Sequence, residues 1–406
     1  MPKNPIGIDV LTAARQRIAY VFDNFPCIYV SFSGGKDSSV MLHLVMEEAI
    51  KRNRKVGVLL VDLEGMYKIT IEHIQAMYDL YADHIEPYWV CLPIALRNAV
   101  SVFEPKWCCW EPEKEAEWIR KPPDMAITLQ NNPFSFYKYN PKNHMEFEEF
   151  VPRFGHWYGH GKLTACFVGI RADESLNRYR TIKADKAMFE DKAFTTWLGS
   201  GLYNIYPIYD WKVSDIWLYN TKYHKPYNRL YDMMHGAGLT PTQMRICQPY
   251  GDDQRQGLWL FHVIEPETWG KVVARVNGAN QGALYAQETG DILGRIKIKK
   301  PEGHTWESFA HLLIESMPPA TKDHFKDKIA VFLHWWQDRG YPDGIPDEAD
   351  INDEAAKKVP SWRRICKALL RNDYWCKGLS FSQTKSEAYD RYKKVMKRRR
   401  QAWGIF

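Results

Sequence analysis

Apolar and polar positions along the first half of the chain predict strands alternating with helices. Cys27-Ile-Tyr-Val-Ser-Phe-Ser33 is a short apolar run closed by glycines, and Asp37 to Arg52 then shows helical spacing at Val40 and Leu44 and at Met41 and Val45. Lys55 to Asp62 (KVGVLLVD) is almost wholly apolar, the pattern of a strand buried on both faces of a parallel sheet. A helix over 69–82, a third strand at Tyr88–Leu92 and a fourth at Leu163–Ile170 (LTACFVGI) continue the alternation. The pattern predicts an α/β fold: an open, mainly parallel sheet with helices on both faces, whose ligands lie beyond the carboxyl ends of the strands.

Between the third and fourth strands, residues 103–160 are rich in Pro, Trp and Asn and too long for a plain connection. They read as an insertion that caps the site or meets a partner. From Asp210 onward the periodicity turns helical, at Val213–Tyr223, Tyr227–His235, Gly257–Val276, Thr305–Met317, Thr321–Arg339, Trp362–Arg371 and Lys385–Trp403. A boundary near residue 240 separates a domain at 1–240 from a helical C-terminal domain at 241–406 with a basic end. No internal repeat is present.

Composition narrows the class. With 406 residues, 45% hydrophobic and 26% charged, the chain is expected to be globular with a sizeable core. No window approaches the roughly 18 consecutive apolar residues of a membrane span, and the first residues, MPKNPIGIDVLTAARQ, lack the pattern of a secretory leader. The expected location is the cytoplasm. A formal net charge of +6 is too small for bulk charge alone to indicate nucleic acid. Eight cysteines with no C-x-x-C argue against disulfides and a zinc ribbon. The 16 Trp and 23 Tyr suit large buried surfaces or stacking sites.

The chemistry concentrates in Ser31-Phe32-Ser33-Gly34-Gly35-Lys36-Asp37-Ser38-Ser39, which joins an apolar strand to a helix. Such a loop aims backbone N–H groups, the positive helix end, the Ser33 and Ser38 hydroxyls and the Lys36 ammonium at one place, which suits a phosphate. It is neither G-x-x-x-x-G-K-[ST] nor G-x-G-x-x-G. A further stretch, Val168-Gly169-Ile170-Arg171-Ala172-Asp173-Glu174-Ser175-Leu176-Asn177-Arg178, also leaves an apolar strand. Arg171 and Arg178 could clamp phosphate or sulfate oxygens, with Glu174 holding one guanidinium; the plain alternative is a salt-bridged surface helix.

The glycine motif resembles the SGGxDS signature of the PP-loop superfamily, the adenine nucleotide α-hydrolases. The Val168–Arg178 stretch resembles the G-x-R-x-x-E-S-x-x-R loop of phosphoadenosine phosphosulfate (PAPS) reductases. Pro207-Ile208-Tyr209-Asp210-Trp211, Asp215-Ile216-Trp217 and Tyr227-Asn228-Arg229-Leu230-Tyr231-Asp232 match that family's later elements in order, so the resemblance covers about 25–235. It implies ATP or a related adenine nucleotide, cleaved between the α- and β-phosphates. It also implies that Gly169 and Ser175 belong to the nucleotide site and that Asp62 accepts from ribose or adenine. Asp62 could equally be a helix cap. Asp37 would contact Mg²⁺ bridging the phosphates, or only cap its helix. On this reading Lys36, Asp37, Arg171 and Arg178 carry the catalysis, and replacing Asp37 or Lys36 with alanine removes nucleotide binding while leaving the fold intact.

The resemblance breaks at the thiol. The reductases' C-terminal E-C-G-[LI]-H tail is missing, and Cys108-Cys109 lacks a later C-x-x-C, so no iron–sulfur cluster is expected. Trp107-Cys108-Cys109-Trp110-Glu111-Pro112-Glu113-Lys114, Cys91-Leu92-Pro93-Ile94-Ala95-Leu96-Arg97-Asn98 and Pro249-Tyr250-Gly251-Asp252-Asp253-Gln254-Arg255 resemble the PAPS-reductase-like proteins of the IbrA type, co-activators of prophage gene expression. That resemblance implies a ParB/sulfiredoxin-like partner. Tyr250, Gly251, Asp252, Asp253 and Arg255 would close over the nucleotide, or merely start a solvated helix. Lys393 to Arg400 packs six cations into eight residues, for nucleic acid or simply to complement a helix end. The leading expectation is an ATP pyrophosphatase or adenylyl-transfer enzyme in a regulatory or phage-related system; the rival is a nucleotide-switched binding module without turnover. Sulfonucleotide reduction and sulfur transfer to nucleic acid rank below both on cysteine spacing.

Overall fold

The structure is a computed structural model that describes residues 7–98, 106–183, 187–246, 258–276, 300–301, 303–315, 317, 319–370, 373 and 376–381. The chain divides into two compact units, Met1–Ile94 with Cys109–Gln248, and Ala95–Cys108 with Pro249–Phe406.

The first unit runs α1 (Val10–Asn24), β1 (Cys27–Ser31), α2 (Lys36–Lys51), β2 (Val56–Val61), α3 (Lys68–Leu80) and β3 (Ile85–Val90). Next in the chain are β4 (Ile94–Arg97) and β5 (Lys106–Cys109), which pair with each other and whose residues, Ile94 and Cys109 apart, belong to the second unit; the first unit then continues with α4 (Phe147–Gly159), β6 (Thr164–Val168), α5 (Leu176–Lys183), β7 (Thr195–Gly199), β8 (Leu202–Ile205), α6 (Val213–Lys222) and α7 (Leu230–Gly236). One sheet has the order β3-β2-β1-β6-β8-β7, with neighbouring strands parallel except for β7 and β8. Central strands enclosed by helices must be apolar throughout, and Ile28, Tyr29 and Val30 of β1 and Val56 to Leu60 of β2 are buried.

The order places a topological switch between β1 and β6: the chain moves outward from β1 to β2 and β3, then returns to the other side of β1. In register, Ser31 at the end of β1 lies opposite Val168 at the end of β6. The loops leaving both strands therefore start at the same level, side by side, which is where open α/β sheets bind ligands. Helix α1 begins at Asp9, whose carboxylate accepts the Leu11 and Thr12 N–H groups. Arg17 grips Asp210 with two nitrogens and donates to the Pro207 carbonyl, so P-I-Y-D-W serves to fasten α1 to the end of β8.

Two expectations need correction, and one hairpin has no counterpart in the sequence pattern. The third strand runs Ile85–Val90, ahead of Tyr88–Leu92. The region 103–160 is not one insertion: it ends in α4, the helix of the crossover to β6, whose Phe154 and Tyr158 pack on Tyr29 of β1. The β7–β8 hairpin escapes the sequence pattern, because its strands are short and joined at Gly199-Ser200-Gly201.

The second unit has α8 (Leu258–Ile264), α9 (Pro266–Arg275), α10 (Trp306–Glu315), α11 (Pro319–Gln337), α12 (Ile351–Ala355) and α13 (Trp362–Leu370). Pro266 explains why the single helix expected at 257–276 is two, since proline starts a helix readily but breaks an interior. Trp306, Phe309, Phe325, Phe332, Trp336, Trp362, Ile365 and Cys366 form its core. Buried Glu354 accepts from Ser361, Arg363, Lys367 and the Ala349 N–H, tying α12 to α13. Arg275 donates to the Cys108 carbonyl and lies over the Trp107 ring, which joins the 106–108 strand to α9. The helix expected at 385–403 lies outside the described residues. Among the described residues no helix is long and apolar enough to cross a membrane.

Candidate functional site

The glycine loop is braced from within. Ser38 Oγ donates to the Gly35 carbonyl at 3.0 Å and accepts from the Ser33 N–H at 3.3 Å and the Ser33 hydroxyl at 3.0 Å. Gly34 has φ +71°, and a Cβ there would stand 2.9 Å from Ile74 of α3, so conformation and space both demand glycine. Phe32 is buried and its N–H continues the ladder to the Leu59 carbonyl. Gly35 caps α2 without a side chain to bond the first turn, so apart from the Lys36 N–H, which the Tyr231 hydroxyl accepts, that helix's positive end is left for an anion. Ser39 points away, into a hydrogen bond with buried His73 at 2.9 Å.

The loop after β6 closes on this helix end. Arg171 Nε donates to Asp37 Oδ1, and Lys36 Nζ lies 3.3 Å from Asp37 Oδ2. Both cations are almost fully buried, with 4% and 5% of the Arg171 and Lys36 side chains exposed against 15% for Asp37. One carboxylate therefore organises two cations above the α2 N-terminus. Gly169 permits the approach: a Cβ would lie 2.9 Å from Ser38 Cα and 3.1 Å from the Asp37 carbonyl carbon, both backbone atoms that cannot swing aside. Gly169→Ala is expected to lose about 1–3 kcal/mol of stability by overpacking and to displace Arg171 from Asp37. Urea denaturation checks it; wild-type stability would mean that the two loops separate without cost.

Other expected site residues fall elsewhere. Arg178 does not join Arg171 in a clamp: its side chain is 47% exposed and pairs with Glu174 at 3.7 Å along α5. Ser175 Oγ accepts the Arg178 N–H, a cap for α5 and not a ligand contact in this conformation. Asp62 is fully enclosed and accepts from Trp89 Nε1 at 2.7 Å, the Glu64 N–H at 3.0 Å and Arg120. In this conformation its oxygens are committed to the protein, to Trp89, Glu64 and Arg120. Tyr250, Gly251, Asp252, Asp253 and Arg255 lie outside the described residues.

Several residues that shape the site carry no signal of it in the sequence. Asn228 Nδ2 donates to the Gly34 carbonyl at 3.0 Å and Thr70 Oγ1 at 2.9 Å, pinning the loop between α3 and α7. Tyr231 Oη accepts the Lys36 N–H at 2.9 Å, and its ring centroid is 5.2 Å from Lys36 Nζ. The Met244 carbonyl accepts from Lys36 Nζ at 3.1 Å, and Arg245 donates to the Glu174 carbonyl. Glu64, also fully buried, accepts the Trp110 and Ile119 N–H groups at 2.8 and 3.1 Å, so the end of β2 anchors the tryptophan-rich segment. The Tyr227–Asp232 stretch is visible in sequence, but not that Asn228 and Tyr231 turn onto the glycine loop while Tyr227, Arg229 and Asp232 bond to one another at the surface.

Residues 27–235 match the family model described as phosphoadenosine phosphosulfate reductase domain, and 238–344 with 341–390 match one described as a domain of unknown function (DUF3440). The chain is 46% identical to the uncharacterized protein YbdN of Escherichia coli (strain K12), over 99% of this chain and 98% of that protein. It is 27% identical to adenosine 5'-phosphosulfate reductase 2 of Bacillus subtilis (strain 168) over 34% of this chain and 53% of the relative. Among solved structures, a PAPS reductase from Candida auris in a phosphate complex aligns at 13% identity and a TM-score of 0.28, covering 55% of this chain and 85% of that one. A Candida glabrata FMN adenylyltransferase in complex with ATP aligns at 14% identity and a TM-score of 0.33, covering 55% of this chain and 57% of the other. With its SGGKDS loop at the switch point of a parallel sheet and more than half its length within the matched region, the chain belongs to the phosphoadenosine phosphosulfate reductase domain family.

Proposed function

We propose that the chain binds ATP or a related adenine nucleotide on the Ser33–Ser39 loop and breaks the bond between the α- and β-phosphates, with or without adenylyl transfer to an acceptor. One observation carries the reading: a helix N-terminus whose cap residue, Gly35, has no side chain to bond it, and two buried cations, Lys36 and Arg171, converge through Asp37 where the β1 and β6 loops meet. Prearranged donors of this kind stabilise charge as it develops on the departing pyrophosphate when water or an acceptor attacks the α-phosphorus. In that role Lys36 and Arg171 bind and neutralise phosphate oxygens, while Asp37 fixes their positions.

Three of the described thiols are poorly suited to act as a cysteine nucleophile. Burial raises the Cys91 thiol well above its ordinary range and pushes Cys166 and Cys366 up to about 12, so none of the three is ready as a thiolate. The residues present do not form a magnesium site of their own. Both Asp37 oxygens face cations, and the described residues contain no group of three or more His, Cys, Asp or Glu able to hold a metal. Mg²⁺ would arrive with the nucleotide phosphates.

A nucleotide-switched binding module without turnover is the alternative reading, favoured by the neutralisation of Arg171 by Asp37 at rest. The finer reading extends to kinship with the IbrA-type co-activators, a ParB/sulfiredoxin-like partner, a cytoplasmic location and nucleic-acid contact through Lys393–Arg400, a stretch outside the described residues.

ATP at a hundredfold excess over its dissociation constant is expected to stabilise the protein by about 2.7 kcal/mol, read as a rise in melting temperature. Incubation should convert ATP to AMP and pyrophosphate. ADP and phosphate would overturn the α–β assignment, stabilisation without products would favour the switch, and no stabilisation would remove the nucleotide from this site.

A further inference from the structure

We propose that Thr240–Arg245 is a latch that keeps the site's lysine covered at rest and is displaced when an anionic ligand takes that lysine. The proposal rests on the nucleotide reading above and adds regulation of access to the same site.

Lys36 is the one lysine of the glycine loop, yet only 4% of the residue is exposed. Its ammonium donates to the Met244 carbonyl, and Met244 is itself buried. One residue on, Arg245 donates to the Glu174 carbonyl, so two consecutive residues touch both loops of the site, one at Lys36 and one beyond Arg171. The segment that makes these contacts is slight. It is a turn in which the Gln243 and Met244 N–H groups reach the Thr240 carbonyl at 2.9 and 3.1 Å, and Thr240, Thr242 and Gln243 are exposed.

Both anchors pair a cation with a neutral carbonyl. A phosphate oxygen is the stronger acceptor for either cation, because its negative charge adds an ion-pair attraction to a hydrogen bond that with a carbonyl is charged on the donor side alone. An arriving phosphate therefore outcompetes Met244 for Lys36, and it can reach the buried ammonium only when its cover moves. The resting latch lowers apparent affinity by the fraction of molecules in which it is open.

The test compares wild type, Arg245→Ala and Arg245→Lys by hydrogen–deuterium exchange and by calorimetric titration with AMP and ATP. Without ligand, Arg245→Ala should exchange faster over 239–246, and it should bind nucleotide roughly tenfold more tightly, the gain from removing one charge-assisted anchor. Arg245→Lys, which keeps a donor for the Glu174 carbonyl, should stay near wild type. In the wild type, nucleotide should protect 33–38 and deprotect 239–246.

Weaker binding by Arg245→Ala would make Arg245 a ligand contact and overturn the latch. Protection of 239–246 by nucleotide would make the segment a closing lid, which also overturns it. Unchanged exchange in unliganded Arg245→Ala would remove the anchor itself. If wild type binds and Arg245→Ala gains nothing, the latch alone fails. If neither binds nor shows protection at 33–38, the nucleotide reading fails and the latch with it.

Discussion

Replacing Asp37 with alanine is expected to lower the free energy of unfolding by about 3 kcal/mol and to remove nucleotide binding, because it leaves two buried cations without their shared carboxylate. Sequence alone suggests that the fold would be untouched; the burial of Lys36 and Arg171 reverses that. The low end of the range for a broken buried pair applies, since Arg171 keeps a contact with Asp173 at 3.5 Å and Lys36 keeps the Met244 carbonyl. Asp37→Asn, which keeps the shape but loses the charge, should fall between. A triple replacement of Lys36 and Arg171 by methionine and Asp37 by leucine should destabilise less than Asp37→Ala, although it too abolishes binding, because removing all three charges leaves none buried without a partner. Urea denaturation of the unliganded variants separates these cases. A loss below about 1 kcal/mol for Asp37→Ala would mean that solvent reaches the cations freely and that the triad does not hold the loops together.

The glycine loop and the sheet are legible in the sequence because each rests on local pattern. Two apolar runs of five or six residues, each followed by a glycine turn or a helical period, can hardly be other than parallel strands of an α/β sheet. Gly34 and Gly35 fall at a strand-to-helix junction that sequence locates to within two residues, the apolar run ending at Ser33 against Ser31 and the helix starting at Asp37 against Lys36. What sequence cannot supply is the direction of long side chains. Arg171 and Arg178 look alike in a G-x-R-x-x-E-S-x-x-R stretch, but only Arg171 precedes α5 and can turn back to Asp37; Arg178 is already on the helix and pairs with Glu174 one turn away. The setting of Asp62 is hidden for a related reason. Its position at the end of β2 is visible, while its partners Trp89 and Arg120 come from 27 and 58 residues later. Asn228, Tyr231 and Met244 reach the loop across about 190 to 210 residues of chain, a distance over which no spacing rule operates.

Acid is expected to destabilise the first unit between about pH 6.5 and pH 4, ahead of ordinary carboxylate titration, and the cause is a pair of buried histidines under the site. His43 is fully enclosed on α2: its Nδ1 accepts from the Tyr81 hydroxyl at 2.6 Å and its Nε2–H donates to the Pro226 carbonyl at 2.9 Å. Burial pushes it down to about 4, against the Pro226 bond, with Lys225 adding to the depression and Glu47 opposing it. Burial likewise brings His73 down to about 4, helped by repulsion from His43. In the unfolded chain both titrate near 6.5, so between roughly 6.5 and 4 the unfolded state binds more protons and stability falls with pH. The loss begins as pH drops below 6.5 and is complete near 4, where both states are protonated. At about 1.4 kcal/mol for each tenfold change in proton affinity, each histidine accounts for about 3 kcal/mol across that window. Because His73 holds Ser39 and His43 anchors the segment before Asn228, the glycine loop should loosen with them. Urea midpoints measured at about pH 7.5, 6.0, 5.0 and 4.5 should decline steadily in the wild type and stay nearly level in His43→Gln/His73→Gln. A double variant as acid-sensitive as the wild type above about pH 4.5 would move the titrating groups elsewhere and leave the neutral, buried state of these two rings without support.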